Sequence, residues 1–286
     1  SPNALNAIRL GGRFRVGLAL ARTPYGEMFA ADTAEGEKAL AHVLSPRFAE
    51  NPVFKDRFLN ETARIDNVNE RGIPRSIGQG VSEGFAYVLY EPLDGEFVET
   101  RRRKQLGRIS VLDAYPIAQQ FLDIIVSFHS RNILHGDLRP QHLFLESRGT
   151  LRIFNAGLGQ ISHHAITSAT PGEFFPFPDY LANLPPSVAT DIWGIGATLF
   201  QLLSGVAPAR GALGFRSLLD VAQHVPKPLA EVIDRALHVK PDNRWPTASA
   251  MRDALEEARS PETSHDGSVL SLASKGSDPP NPFDNA

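Results

Sequence analysis

Residues 133–158 read ILHGDLRPQHLFLESRGTLRIFNAGL. Leu143-Phe144-Leu145 and Leu151-Arg152-Ile153-Phe154 are short apolar runs joined by the turn-forming Glu146-Ser147-Arg148-Gly149, and the spacing predicts a β-hairpin. His135, Asp137, Arg139 and His142 stand just before the hairpin, and Asn155 and Gly157 just after it. Rigid strands fix groups at both of their ends, so a functional site is expected here.

Working upstream, FRVGLALARTPYGEMFAAD (14–32) alternates and turns around Thr23-Pro24-Tyr25-Gly26, a strand–turn–strand signal. Ala39–Leu44 reads as the next strand. Residues 54–68 place Phe54, Phe58, Ala63 and Ile65 at helical spacing, and Phe85–Tyr90 reads as a further strand. Arg101-Arg102-Arg103-Lys104 reads as a solvated helix face. Asp113 is expected to cap a helix with Pro116 in its first turn and an apolar stripe through Ile117, Phe121, Ile124, Ile125 and Phe128. Downstream, Thr190–Leu203 is apolar nearly all round, as a helix inside a large core would be. A last helix is expected over about 247–258. Residues 259–286, rich in Ser, Pro, Asp and Gly, read as a disordered tail or linker.

Bulk properties narrow the function classes. The 286 residues suffice for one large domain or two lobes around a cleft. A net charge of −3 argues against nucleic-acid or membrane-surface binding. The absence of cysteine excludes a disulfide framework and thiolate metal sites, and favours a cytoplasmic setting. The longest apolar stretch, near Ile192–Leu203, is too short to span a bilayer. A chain that starts at Ser1 without methionine reads as a processed product or a domain of something longer.

The motif spacing resembles protein kinases of the bacterial Ser/Thr type. His135-Gly136-Asp137-Leu138-Arg139-Pro140-Gln141-His142 is similar to their H-R-D-L-x-x-x-N loop, and Asn155-Ala156-Gly157 falls at D-F-G. Phe177-Pro178-Asp179 overlies A-P-E, Asp191-Ile192-Trp193-Gly194-Ile195-Gly196 overlies D-x-W-x-x-G, and Arg244 lies in a segment similar to D-P-x-x-R-P. The resemblance implies an α+β bilobal fold. It places a leader at 1–12, a small β-rich lobe with one main helix at 13–92, and a larger helical lobe at 93–258. It also implies that Asp191 ties its helix to the loop backbone and that Arg244 meets Asp179.

The nucleotide-handling positions depart from the family. Gly26 alone remains of three loop glycines, with Ala21 and Thr23 at the others, so bare backbone is not offered to phosphates. His42 stands where the phosphate-pairing lysine would be. Glu61 falls at the helix glutamate, whose partner would then be His42, and Tyr90 at the gatekeeper, narrowing the base pocket. His142 and Asn155 replace the magnesium-holding asparagine and aspartate, although magnesium prefers carboxylate oxygen. Asp137 keeps the base position and His135 its neighbour, with Gly157 closing the D-F-G position. Losing groups of this kind costs roughly 10²–10³ in rate each.

The pattern is similar to a pseudokinase: not an enzyme, without cofactor or metal, acting as a regulatory or scaffolding module that binds another protein. The alternative is a weak or atypical ATP-binding kinase, or a sensor that takes ATP without magnesium. Gly136 replaces the arginine that receives an activation-loop phosphate. A phosphate on Ser162, Thr167, Ser168 or Thr170 would therefore stay free for an outside reader. The expected partner is an active kinase or a phosphopeptide-reading protein.

Overall fold

The alternation over 14–32 folds into the first hairpin of a six-stranded antiparallel sheet. The computed structural model describes residues 8–66, 72–159, 161, 163, 175, 177–211 and 214–259. The sheet contains β1 (Arg9–Leu10), β2 (Phe14–Thr23), β3 (Gly26–Asp32), β4 (Lys38–Leu44), β5 (Ser76–Ser82) and β6 (Phe85–Tyr90), in the order β1-β2-β3-β4-β6-β5. Helices α1 (Pro46–Ala49) and α2 (Pro52–Asp66) follow β4.

The inner face of this sheet carries Met28, Leu40, Val88 and Tyr90, which pack with Phe58 of α2. Its outer face buries a second cluster that includes Ile8, Leu10, Phe14, Val16, Phe29, Ala41, Val43, Tyr87 and Leu89. β4 is therefore buried from Ala39 to Leu44 with no alternation. The sheet curls until Gly11 N donates to Ser82 Oγ at 3.3 Å, bringing β1 near β5. Residues 8–12 thus belong to the small lobe, and a boundary after residue 12 would cut the β1–β2 pair.

The linker after β6 leads to β7 (Gly95–Phe97) and α3 (Val98–Lys104). The basic run on α3 is tied down: Arg102 and Arg103 reach Glu99 at 2.8 Å, and Lys104 reaches Glu96 at 2.7 Å. β8 (Leu143–Glu146) and β9 (Leu151–Ile153) form a hairpin, with β7 as a third strand in the order β7-β8-β9. Leu143 faces Ile153 and Leu145 faces Leu151 across the hairpin.

The large lobe is built on α4 (Val111–Ser130) and α6 (Val188–Ser204), with α5 (Pro178–Leu181) between them in the chain and α7 (Lys227–Ala236) and α8 (Ala248–Arg259) after them. Ser110, not Asp113, caps α4 by accepting from Asp113 N, and Pro116 lies inside the helix. Pro116 would have donated to the carbonyl of Leu112; that residue is exposed, so water can serve the carbonyl instead. α6 starts with a capping box of Ser187 and Thr190 and ends on Gly205 at φ 85°. Trp193 and its neighbours lie in the main core, which joins α4, α6, α7 and α8. Among the described residues, no helix is long and apolar enough to cross a membrane.

Candidate functional site

The loop before the hairpin is anchored from α6. Asp191, fully buried, accepts from His135 N at 3.0 Å, Gly136 N at 2.7 Å and His129 Nε2 at 2.9 Å. Three donors on one carboxylate stabilise its charge without solvent. Gly136 sits at φ 78°, and a Cβ there would come within 2.9 Å of Tyr180 Oη, which donates to Gly136 O at 2.6 Å. The substitution at this position is thus coupled to a tyrosine on α5.

A second anchor closes behind it. Arg244 Nη1 meets both oxygens of Asp179, at 2.8 and 3.1 Å, and also donates to Ala189 O at 2.7 Å. Arg244 Nε donates to His238 O at 2.8 Å.

His135 is fixed as the Nε2–H tautomer. Its Nε2 donates to Phe154 O at 2.9 Å, and its Nδ1 accepts from Asp137 N at 3.1 Å. Burial holds its pKa down at about 4. Asp137 lies wholly inside the protein, clamped by Arg139 from Nε at 2.6 Å and Nη2 at 2.5 Å. The Arg139 guanidinium stacks on Phe175 and Phe177, 4.7 and 5.4 Å from their ring centres. Arg139 belongs to the polar cluster seen in the sequence, but its spacing gave no sign that it would occupy the carboxylate. A carboxylate so enclosed is poorly placed to take a proton from an incoming hydroxyl.

The centre of the site is filled. Tyr25, from the turn between β2 and β3, is fully buried, its ring centre 5.5 Å from His42 and 6.1 Å from His142. The sequence showed Tyr25 as a turn residue. Its inward position depends on the β2–β3 turn docking through Ser45 N to Tyr25 O at 2.9 Å. Burial raises its hydroxyl pKa well above the ordinary range.

His42 packs edge-on against Phe58 at 5.1 Å, and its Nε2 meets Thr23 Oγ1 at 3.3 Å. Burial depresses its pKa to about 3, so the ring is neutral at pH 7 and offers no cation to a phosphate. His142 donates from Nδ1 to Asp137 O at 2.7 Å. Its pKa is driven well below the usual value by burial, then by His135 and Arg139.

Glu61 does not meet His42. It pairs with Arg64 on its own helix at 2.8 Å, because His42 is enclosed between Tyr25 and Phe58. Its carboxylate lies against Gly157, where a Cβ would approach Oε2 within 2.7 Å. Gly26 is required by the sheet rather than by a ligand: a Cβ there would strike Val43 O at 2.3 Å. Tyr90 is buried edge-on against Phe154 at 4.9 Å, forming part of the wall between the lobes. Asn155 is buried at φ 67°. Among the described residues, Tyr25 Oη, His42 Nδ1, His142 Nε2 and both amide atoms of Asn155 are buried without a hydrogen-bond partner. Asn155 is near enough to favour a charged His42 slightly, but not in hydrogen-bonding geometry. Ser162, Thr167, Ser168 and Thr170 lie outside the described residues.

Among the described residues no cluster of three or more His, Asp or Glu could hold a metal ion. The donor set at the magnesium positions, an imidazole and an amide, also fits a hard cation poorly. Base-side space does persist: a cavity of about 700 Å³ opens under β2, β3 and β4, floored by Phe97 and Phe144.

The protein kinase domain family matches residues 24–255. The chain belongs to that family. It is similar to the Ser/Thr-protein kinase PknA of Mycobacterium tuberculosis, 24% identical over 271 residues, covering 88% of this chain and 62% of PknA. It is also similar to a probable Ser/Thr-protein kinase of Clostridium perfringens, 22% identical over 232 residues, covering 76% of this chain and 34% of that protein. The chain thus spans only about one to two thirds of the length of these curated relatives. In fold it is similar to the kinase domain of M. tuberculosis PknI, with a TM-score of 0.68 and 21% identity over 88% of this chain and 98% of the other. The kinase fold, with its β-rich small lobe and helical large lobe, is that of this chain.

Proposed function

We propose that this member of the kinase family is a pseudokinase, a regulatory or scaffolding module that engages another protein and does not transfer phosphate. The observation that carries the reading is Tyr25, buried between His42 and His142 where a nucleotide's phosphates and their cation would have to sit. Two further features support it. The histidine at the lysine position is neutral, and Asp137 is occupied by Arg139. Phosphoryl transfer depends almost wholly on positioned charge, so a site with a neutral ring at the lysine position and the Arg139 guanidinium committed to Asp137 has little to offer it. The curated relatives carry names of Ser/Thr kinases, and the reading separates this chain from them on its own residues.

Thermal melts with nucleotide test the proposal. Ligand at 100 times its dissociation constant adds about 2.7 kcal/mol, equivalent to a rise of roughly 5–10 °C for a domain of this size. Mg-ATP is expected to leave the melting temperature unchanged. A rise of that size with Mg-ATP overturns the reading, and an equal rise with ATP alone favours a metal-independent nucleotide sensor. The proposed partner, an active kinase or a phosphopeptide reader, is tested by phosphosite mapping over 159–176 after incubation with candidate kinases.

A further inference from the structure

The turn between α3 and α4 is clasped to the turn that ends α6. Arg102 Nη1 donates to Gly107 O at 2.6 Å and to Gly205 O at 3.0 Å, and a Cβ at Gly205 would come within 2.9 Å of Gly107 O. What the two turns present outward is apolar. Leu106 is 99% exposed and holds φ 58°, a left-handed conformation that a branched side chain seldom adopts. Such strain costs stability, and an exposed leucine offsets none of it. Val206, on the other turn, is half exposed, and Leu112 in the first turn of α4 is 85% exposed. The surroundings are basic. Among the described residues, Arg101, Arg102, Arg103 and Lys104 share two carboxylates, Glu96 and Glu99, and Arg108 is exposed close by in the chain.

The end of α8 is held next to this surface. Tyr115, one turn along α4 from Leu112, donates from Oη to Ala258 O at 3.2 Å, and its ring centre lies 5.9 Å from the Arg259 guanidinium. Beyond it, residues 260–286 lie outside the described residues. Their sequence carries Glu262, Asp266, Asp278 and Asp284 against Lys275 alone, which accounts for the whole net charge of −3. It also holds a short apolar run, Val269-Leu270-Ser271-Leu272. Fully extended, 260–268 spans up to about 30 Å, whereas the chain between Leu106 and Leu112 can separate them by no more than about 20 Å.

We propose that residues 262–272 dock back onto this surface of the same chain. Val269, Leu270 and Leu272 cover Leu106, Val206 and Leu112, while Glu262 and Asp266 meet Arg103, Lys104 and Arg108. Acidic residues accompany the apolar run as basic residues accompany the apolar patch, so one segment matches both characters. A tail closed over the patch denies it to other proteins, and its release uncovers an apolar docking surface. Neither Tyr25 nor the cleft enters, so the inference stands apart from the pseudokinase reading.

Hydrogen exchange of the full chain, read by mass spectrometry over 269–272, tests the proposal. Docked amides should exchange about 10-fold more slowly than those of a free peptide, because burying one leucine shifts an equilibrium by at least that factor. Leu106→Asn suits the left-handed backbone and removes the apolar contact, so exchange should return to the free rate with the fold intact. Leu270→Ser makes the same cut from the tail and leaves the folded surface untouched. Arg108→Glu should reduce the protection about 2–5-fold. Free-peptide exchange in the unsubstituted chain, or protection that neither Leu106→Asn nor Leu270→Ser removes, overturns the proposal. Protection that grows with protein concentration overturns it in favour of a tail supplied by a second copy.

Discussion

The two anchors behind the loop and the filled half of the cleft lie side by side but obey different rules. At Asp191 and at the Asp179–Arg244 pair, buried charge is met by several donors or acceptors in good geometry. Around Tyr25, five buried polar atoms have none among the described residues. Each such atom costs about 1–3 kcal/mol relative to one that is paired. The first region behaves as scaffold, where any loss is expensive. The second retains polar side chains whose buried atoms are only partly satisfied. The family's holding positions and its chemical positions can therefore diverge independently.

The sharpest way to break this contrast is at Arg244. Arg244→Ala removes one side of a buried pair and should cost about 3–5 kcal/mol in denaturant melts. Melts that overlay the parent protein would place the pair outside the load-carrying core and erase the distinction.

Acid titration probes the other region. The folded state keeps His42 neutral down to about pH 3 and His135 to about pH 4, and His142 is shifted the same way. In the unfolded chain each titrates near 6.5, so the unfolded state takes up protons first and stability falls as the pH drops through that value. Between pH 6.5 and 5.5 the loss should be about 1 kcal/mol per histidine, or roughly 3 kcal/mol for three. Urea melts across that interval check it; a flat profile would mean these rings are hydrated.

The smallest effect is expected at His42 itself. His42→Leu nearly conserves volume, keeps an apolar contact with Phe58 and removes the unpaired Nδ1 along with the long Nε2 contact to Thr23, so stability at pH 7 should change by less than about 1.5 kcal/mol. The same variant should lose about a third of the acid sensitivity. A cost above 3 kcal/mol would show that His42 is as structural as Arg244.

Most of the fold was legible because hydrophobic period and turn chemistry agree locally. The hairpin at 143–153, the strands at 14–32 and the helix through Trp193 follow directly from those signals. Two local misreadings have simple causes. Ser110 competed with Asp113 for the cap and won, and β1 is only two residues long, too short to show a period. The site was legible as a set of substitutions but not as a geometry. Sequence spacing located His42 and His142, yet it could not reveal that Tyr25 would come between them, or that Arg139 would turn back onto Asp137. Both depend on contacts made by a turn and an arginine whose local sequence is ordinary.

The sheet with a core on each face has a mechanical consequence. Its central strands, β3 and β4, cannot expose an amide without disturbing one cluster or the other. Their amides should therefore exchange with solvent only when the whole lobe opens, whereas β5 at the sheet's edge should exchange through small local openings. A lobe this stiff does not bend to admit or expel a guest. Opening the cleft would then be expected to part Met28, Leu40 and Tyr90 from Phe97, Phe144 and Phe154 across their shared cluster, and not to bend the sheet.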